Sequence, residues 1–120
     1  MRARPVLMLF CLVGIVSAAG VPARPASDAP RQIVITARRF AFEPDSITLT
    51  KGETVLLVLK SADVTHGLRI RELGLDLKAS RSKPGEVLFT PQKVGDFVGH
   101  CSVFCGAKHG TMTIIFHVVE

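Results

Sequence analysis

The chain has 120 residues, 48% of them hydrophobic, which fits one small domain. Fifteen Lys and Arg against ten Asp and Glu give +5, which becomes +3 (13 against 10) if Arg2 and Arg4 leave with the N-terminal segment. A balance this mildly basic argues for a soluble surface and against a nucleic-acid binder.

The N-terminus has the anatomy of a secretory signal, with basic Met1-Arg-Ala-Arg4, apolar Val6–Val16 and small Ser17-Ala18-Ala19. The apolar run ends at Pro22 and is short for a spanning helix, which needs ~20 residues. Residues 1–19 are therefore expected to be a signal peptide or an N-terminal anchor. Cys11 belongs to that segment, which leaves Cys101 and Cys105 in the mature domain. Export places these two in an oxidising compartment, the periplasm or the extracytoplasmic face of the membrane. Residues 20–31, with Pro22, Pro25, Pro30 and several Ala, read as a linker.

Residues 32–120 alternate as a β domain does. Gln32–Ala37 places Ile33, Ile35 and Ala37 on one face, and Ser46–Thr50 turns Ile47 and Leu49 inward. A Lys51-Gly52 turn precedes Thr54–Lys60, a mostly apolar buried strand. Leu68–Ser82 reads as a strand followed by a long loop. Gly85–Thr90 and Asp96–His100 are further strands. In Thr111–Val119, Met112 shares its parity with Ile114, Phe116 and Val118 and points inward with them. Several short strands between Gly and Pro turns predict an all-β sandwich. Arg38-Arg39 next to Phe40 reads as a solvated turn. His100 alternates to the face opposite Cys101, and His117 has outward parity.

The chemistry is concentrated in Cys101-Ser-Val-Phe-Cys105-Gly-Ala-Lys-His109-Gly-Thr-Met112, with His66 upstream in Asp63-Val-Thr-His66-Gly67. Thiolate and thioether are soft ligands, and imidazole suits copper. One Cys with His and Met would point to a single blue-copper ion. A second Cys four residues on points to two metals bridged by two sulfurs. Gly106 and Gly110 flank His109 and let the backbone curl. Two other readings of these residues stand beside copper. Cys101 and Cys105 could form a structural disulfide, although this would not require His66, His109 and Met112 where they are. Cys101, Cys105, His66 and His109 could satisfy zinc, against which the added Met and the export signal weigh.

The segment resembles the CuA family, the dinuclear copper domains of cytochrome c oxidase subunit II and of nitrous oxide reductase. The family pattern, Val-x-His, a gap, then Cys-x3-Cys-x3-His-x2-Met, reads here Val64-Thr65-His66, 34 intervening residues, then Cys101, Cys105, His109 and Met112. The resemblance covers roughly residues 32–119. It implies a Greek-key cupredoxin sandwich whose ligand segments meet at one pole. It implies two copper ions bridged by Cys101 and Cys105. His66 and His109 would each bind one copper, with Met112 a weak ligand to one and the Val103 backbone carbonyl a ligand to the other. The departures are specific. Oxidase subunits typically carry Glu at the position of Val103, where it serves a magnesium ion that Val cannot ligate. They use Trp to receive electrons, and this chain has neither Trp nor Tyr. They usually follow a Pro-Gly pair with Arg, whereas Glu86 follows Pro84-Gly85. Asp63–Ile70 looks more like the nitrous oxide reductase version.

The expected function is an exported electron-transfer domain, with an oxidase subunit II-type component or a periplasmic copper chaperone as alternatives. No general base or nucleophile is evident, so the chain is not expected to be an enzyme by itself. Val103, Phe104, Leu68 and Met112 are expected to form an apolar shell at the metals. The partner is expected to be a redox protein, a cytochrome or an oxidase. Arg69, Arg71, Lys78, Arg81, Lys83 and Lys108 near the ligand segments would steer an acidic one.

Overall fold

A computed structural model describes residues 19–20 and 29–120. The expected signal or anchor apart from Ala19, Cys11 within it, and most of the linker lie outside the described residues. Among the described residues no helix is long and apolar enough to cross a membrane.

The described residues form nine strands: β1 (Arg31–Arg38), β2 (Ala41–Glu43), β3 (Ser46–Thr50), β4 (Val55–Ser61), β5 (His66–Ile70), β6 (Leu75–Ala79), β7 (Gly85–Phe89), β8 (Gly95–His100) and β9 (Thr113–Val119). They make two sheets, ordered β2-β1-β4-β7 and β3-β9-β8-β5-β6. The chain changes sheet at β2–β3, β3–β4, β4–β5, β6–β7 and β7–β8, which is the crossing pattern of a Greek-key sandwich. β1 runs parallel to β4, and β3 parallel to β9. The other pairs are antiparallel.

The sandwich closes over the residues that period-2 alternation selects. Ile35, Ala37, Leu57 and Leu59 from the first sheet face Leu49, Leu68, Ile70 and Phe116 from the second, all at most 1% exposed. Ile33, expected to lie with Ile35, is only partly buried and packs at the edge of this core. The last strand begins two residues later than its β-branched run predicts. His109–Thr111 form one short 3-10 turn that swings Met112 inward before the ladder starts.

Two segments depart from expectation. Leu68–Ser82 is not a strand followed by a long loop but mostly a hairpin, β5 pairing with β6 from His66↔Ala79 to Ile70↔Leu75. A 3-10 turn at Arg71–Leu73 connects them and ends at Gly74, whose φ of 66° is the left-handed conformation that suits glycine. β6 alternates buried Leu75, Leu77 and Ala79 with exposed Asp76 and Lys78. β2, the second departure, is three residues long and pairs Ala37 with Phe42.

Candidate metal centre

The fold brings two segments to one pole. His66 is the first residue of β5, fully buried and fixed by its pairing opposite Ala79. The other segment is the loop 101–112 between neighbouring strands β8 and β9. The Cys101 N–H donates to the Met112 carbonyl at 3.3 Å and closes the neck of this loop. The Ser102 N–H donates to the Gly67 carbonyl at 3.3 Å and stitches the loop onto β5. A Cβ on Gly67 would lie 2.0 Å from Ser102 Oγ, so a larger residue here would force the Ser102 side chain to move. Farther along, His109 N–H donates to the Gly106 carbonyl at 3.1 Å and Met112 N–H to the His109 carbonyl at 3.3 Å.

This scaffold sets the donor atoms in a row. His66 Nδ1 lies 3.8 Å from Cys101 Sγ, which lies 3.8 Å from Cys105 Sγ. Cys105 Sγ lies in turn 3.7 Å from His109 Nδ1 and 3.4 Å from Met112 Sδ. The Val103 carbonyl stands 3.2 Å from Cys101 Sγ. The donor atoms of His66, Cys101 and Cys105 all fall within 4.8 Å of one another. His66, Cys101, Cys105 and Met112 are each at most 5% exposed, so water reaches four of the five side chains very little. His109 is half-buried and is where the cluster meets solvent.

Donors sharing an ion through bonds of about 2.0–2.3 Å stand roughly 3.3–3.8 Å apart, so this row has the spacing of a metal site. Its chemistry is soft: two thiols, two imidazoles and one thioether fit copper better than a hard cation. Cys101 and Cys105 are free thiols.

The hydrogen bonds around the cluster involve residues the sequence reading did not select. Asp63 Oδ1 lies 2.6 Å from His66 Nε2, which leaves Nδ1 toward the sulfurs. Asp63 also accepts from the backbone N–H groups of Arg39 and Val64, each at 2.7 Å. Burial tends to raise the Asp63 carboxyl, but the Arg39 N–H, the His66 ring and the Val64 N–H outweigh it and hold it at about 2. Burial, then the hydrogen bond and charge of Cys101, push the Cys105 thiol up to about 11. Without metal this thiol is protonated at neutral pH, and a bound metal displaces its proton. An Asp three residues before a candidate ligand His was a signal available in the sequence.

Arg38 ends β1 and the expected turn is made by Arg39 and Phe40, but Arg39 is not merely solvated. Its Nε donates to the Cys105 carbonyl at 2.8 Å. Phe104 departs from the expected apolar shell. It is 79% exposed, its ring centroid 5.8 Å from that of His109. Leu68 and Met112 are buried as expected, and Val103 is half-buried. His100 faces solvent, and His117 is half-exposed and bonded to Asp96 at 2.6 Å.

The thiol pair has a testable chemistry of its own. A disulfide needs its sulfurs at about 2.05 Å. Sulfurs 3.8 Å apart on a loop can close that gap with a modest shift. The metal-free chain held in air is expected to lose both thiols of the site and to take up copper only after reduction. Thiol titration before and after reductant checks this; two thiols persisting in air would contradict it.

Comparison with known proteins places this geometry. Residues 30–119 match the family model described as cytochrome c oxidase subunit II, periplasmic domain. Cytochrome c oxidase subunit 2 of Branchiostoma floridae is 32% identical over 73 residues, covering 61% of this chain and 32% of the relative. The probable cytochrome c oxidase subunit 2 of Rickettsia bellii is 32% identical over 74 residues, covering 62% of this chain and 28% of the relative. The chain thus spans about a third or less of the length of these relatives. Among solved structures, the periplasmic domain of subunit II of cytochrome oxidase of Bradyrhizobium japonicum superposes with a TM-score of 0.69 at 22% identity, covering 80% of this chain and 87% of that one. Auracyanin A, a "blue" copper protein of Chloroflexus aurantiacus, superposes with a TM-score of 0.61 at 17% identity, covering 76% of this chain and all of that one. These two likenesses show the fold, the cupredoxin-like sandwich. The family match runs through both sheets and every donor of the cluster, and the chain belongs to the family of periplasmic domains of cytochrome c oxidase subunit II.

Proposed function

We propose that residues 32–120 form a one-electron-transfer domain holding two copper ions, exported by residues 1–19 as a signal peptide or anchor and preceded by the linker 20–31. The observation that carries this reading is the row of donors, His66 Nδ1, Cys101 Sγ, Cys105 Sγ, His109 Nδ1, with Met112 Sδ beside the second sulfur. The sulfurs occupy the middle of the row and each has its own imidazole, an arrangement suited to two ions that share both thiolates. His66, Cys101, Cys105, His109 and Met112 would hold them through side chains, and Val103 through its carbonyl. Copper held by these residues would supply one-electron transfer.

The protein's part is to hold donors still and keep water out. Asp63 fixes the His66 ring, the Cys101–Met112 hydrogen bond closes the neck of the loop, and the Ser102–Gly67 hydrogen bond pins the loop to β5. His109 and the exposed Phe104 mark the side a redox partner would approach. Exposed Arg71, Lys78, Arg81, Lys83 and Lys108 favour an acidic partner surface, an effect that salt weakens. The copper-loaded chain is expected to hold two coppers, to be purple when oxidised and to give a seven-line EPR hyperfine pattern. One copper per chain with four lines would eliminate the dinuclear centre.

Val103 and Glu86, standing where oxidase subunits usually carry Glu and Arg, favour a carrier that stands apart from an oxidase core. Membership in a subunit II family favours the other reading, a component of a haem-copper terminal oxidase. Membrane fractionation separates the two. The chain is expected in the soluble or loosely held fraction. Its recovery only in a detergent-stable complex with a haem-copper oxidase would establish the subunit reading.

A further inference from the structure

We propose that Arg39 is a positioning residue for the metal centre, tying the Cys105 half of the donor row to the His66 half and raising the reduction potential of the site. The inference rests on the copper reading above.

Arg39 belongs to the first sheet, at the corner between β1 and β2, whereas the ligand loop belongs to the second. It nevertheless touches both halves of the cluster. Its side-chain Nε donates to the Cys105 carbonyl at 2.8 Å, across 66 positions of sequence. Its backbone N–H donates to Asp63 Oδ2 at 2.7 Å, and the other oxygen of Asp63 holds His66 Nε2 at 2.6 Å. One residue therefore reaches His66 through Asp63 and Cys105 directly. The next residue adds a steric contact. A Cβ on Gly106 would come within 2.8 Å of the Phe40 ring, and Gly106 has a φ of +145° that disfavours any side chain. The Arg39-Phe40 corner thus clamps Cys105-Gly106 by a hydrogen bond on one side and an aromatic ring on the other. The loop's own hydrogen bonds close its neck and hold it to β5, and this clamp is a brace from the opposite sheet.

The charge acts in addition to the geometry. The guanidinium places a positive charge beside the donor row, its Nε 2.8 Å from the Cys105 carbonyl, and Coulomb attraction favours negative charge there. By the same Coulomb argument it favours whichever redox state of the site carries one more electron. Neutralising Arg39 therefore lowers the potential, and the shift shrinks as salt screens the exposed side chain. The bond and the charge can be separated. Gln keeps a neutral donor at the position of Nε without the charge, and Met keeps the length without either.

The test compares Arg39→Met and Arg39→Gln in the full chain with the parent. In the metal-free chains, amide hydrogen exchange is read at His109, Thr111 and Met112, whose N–H groups are bonded inside the loop. Arg39→Met should exchange there roughly tenfold faster, as loss of one hydrogen bond implies, and Arg39→Gln should stay near the parent. In the copper-loaded chains, the potential should fall in both variants. The EPR hyperfine splitting should change in Arg39→Met as the two halves of the site lose their common tie. Parental exchange in Arg39→Met together with a parental potential in both variants overturns the proposal. If Arg39→Met fails to fold, a parental potential in Arg39→Gln still overturns it. Failure of the copper reading would show separately, in the metal count and EPR pattern of the parent, while the exchange measurement needs no metal.

Discussion

Replacing Cys101 or Cys105 by Ser is expected to abolish the two-copper centre, with the seven-line spectrum lost and at most one copper retained. Each sulfur lies between the other sulfur and a His nitrogen, at 3.7–3.8 Å on either side, so removing either breaks the middle of the row. A Ser hydroxyl is a hard donor with a high pKa and does not replace a soft bridging thiolate. Met112→Leu is expected to behave differently. Met112 sits at the end of the arrangement, beside Cys105 alone, and a thioether binds weakly. That variant should keep both coppers and shift the potential. Copper counts, EPR and voltammetry on the three variants check the ranking; a Met112→Leu chain without copper would reverse it.

The other large effect is structural. Phe116→Ala is expected to cost about 3–5 kcal/mol of folding stability, the usual range for removing a fully buried ring. Phe116 is 0% exposed and lies in the middle of β9, opposite Ile47 of β3 and Phe97 of β8. Three neighbouring strands therefore line the cavity, and the ladder on both sides limits its collapse. A domain of this size loses roughly 4–8 °C in melting temperature per kcal/mol, so the midpoint should drop by well over 10 °C. Denaturant unfolding of the reduced, metal-free chain gives the measurement. A loss under 1 kcal/mol would show that the sheets repack around the gap.

What the sequence revealed follows from which interactions are local. Ile47 and Leu49, and Met112 through Val118, were legible because one face of each strand is buried and side chains alternate with period 2. The gathering of His66, Cys101, Cys105, His109 and Met112 was legible because soft side chains at close spacing are chemically conspicuous. The β5–β6 hairpin was obscured because its connection is a 3-10 turn closed at Gly74 rather than a two-residue turn, and the outward charges of β6 resemble a loop. β2 is too short to show a period. Arg39 was read as solvated because its partner, the Cys105 carbonyl, comes from the opposite sheet, and only the packing of the two sheets makes that contact. Phe104 was misplaced for the opposite reason. Its apolar type implies burial, but the loop turns both cysteines inward and leaves Phe104 on the outside.

The parallel pairing of β3 with β9 carries a kinetic consequence. It joins Ser46 to Ile115 and Thr50 to Val119, so the second sheet closes only when distant parts of the chain meet. Sandwiches dominated by such pairings fold in milliseconds to seconds, far more slowly than short loops close on themselves. Cys101 and Cys105 are only four positions apart. A newly exported chain therefore brings its thiols into mutual reach long before His66, 35 positions from Cys101, arrives to complete the site. In an oxidising compartment, the supply of electrons to the unfolded chain would decide whether it matures into a metal-ready domain or a cross-linked one.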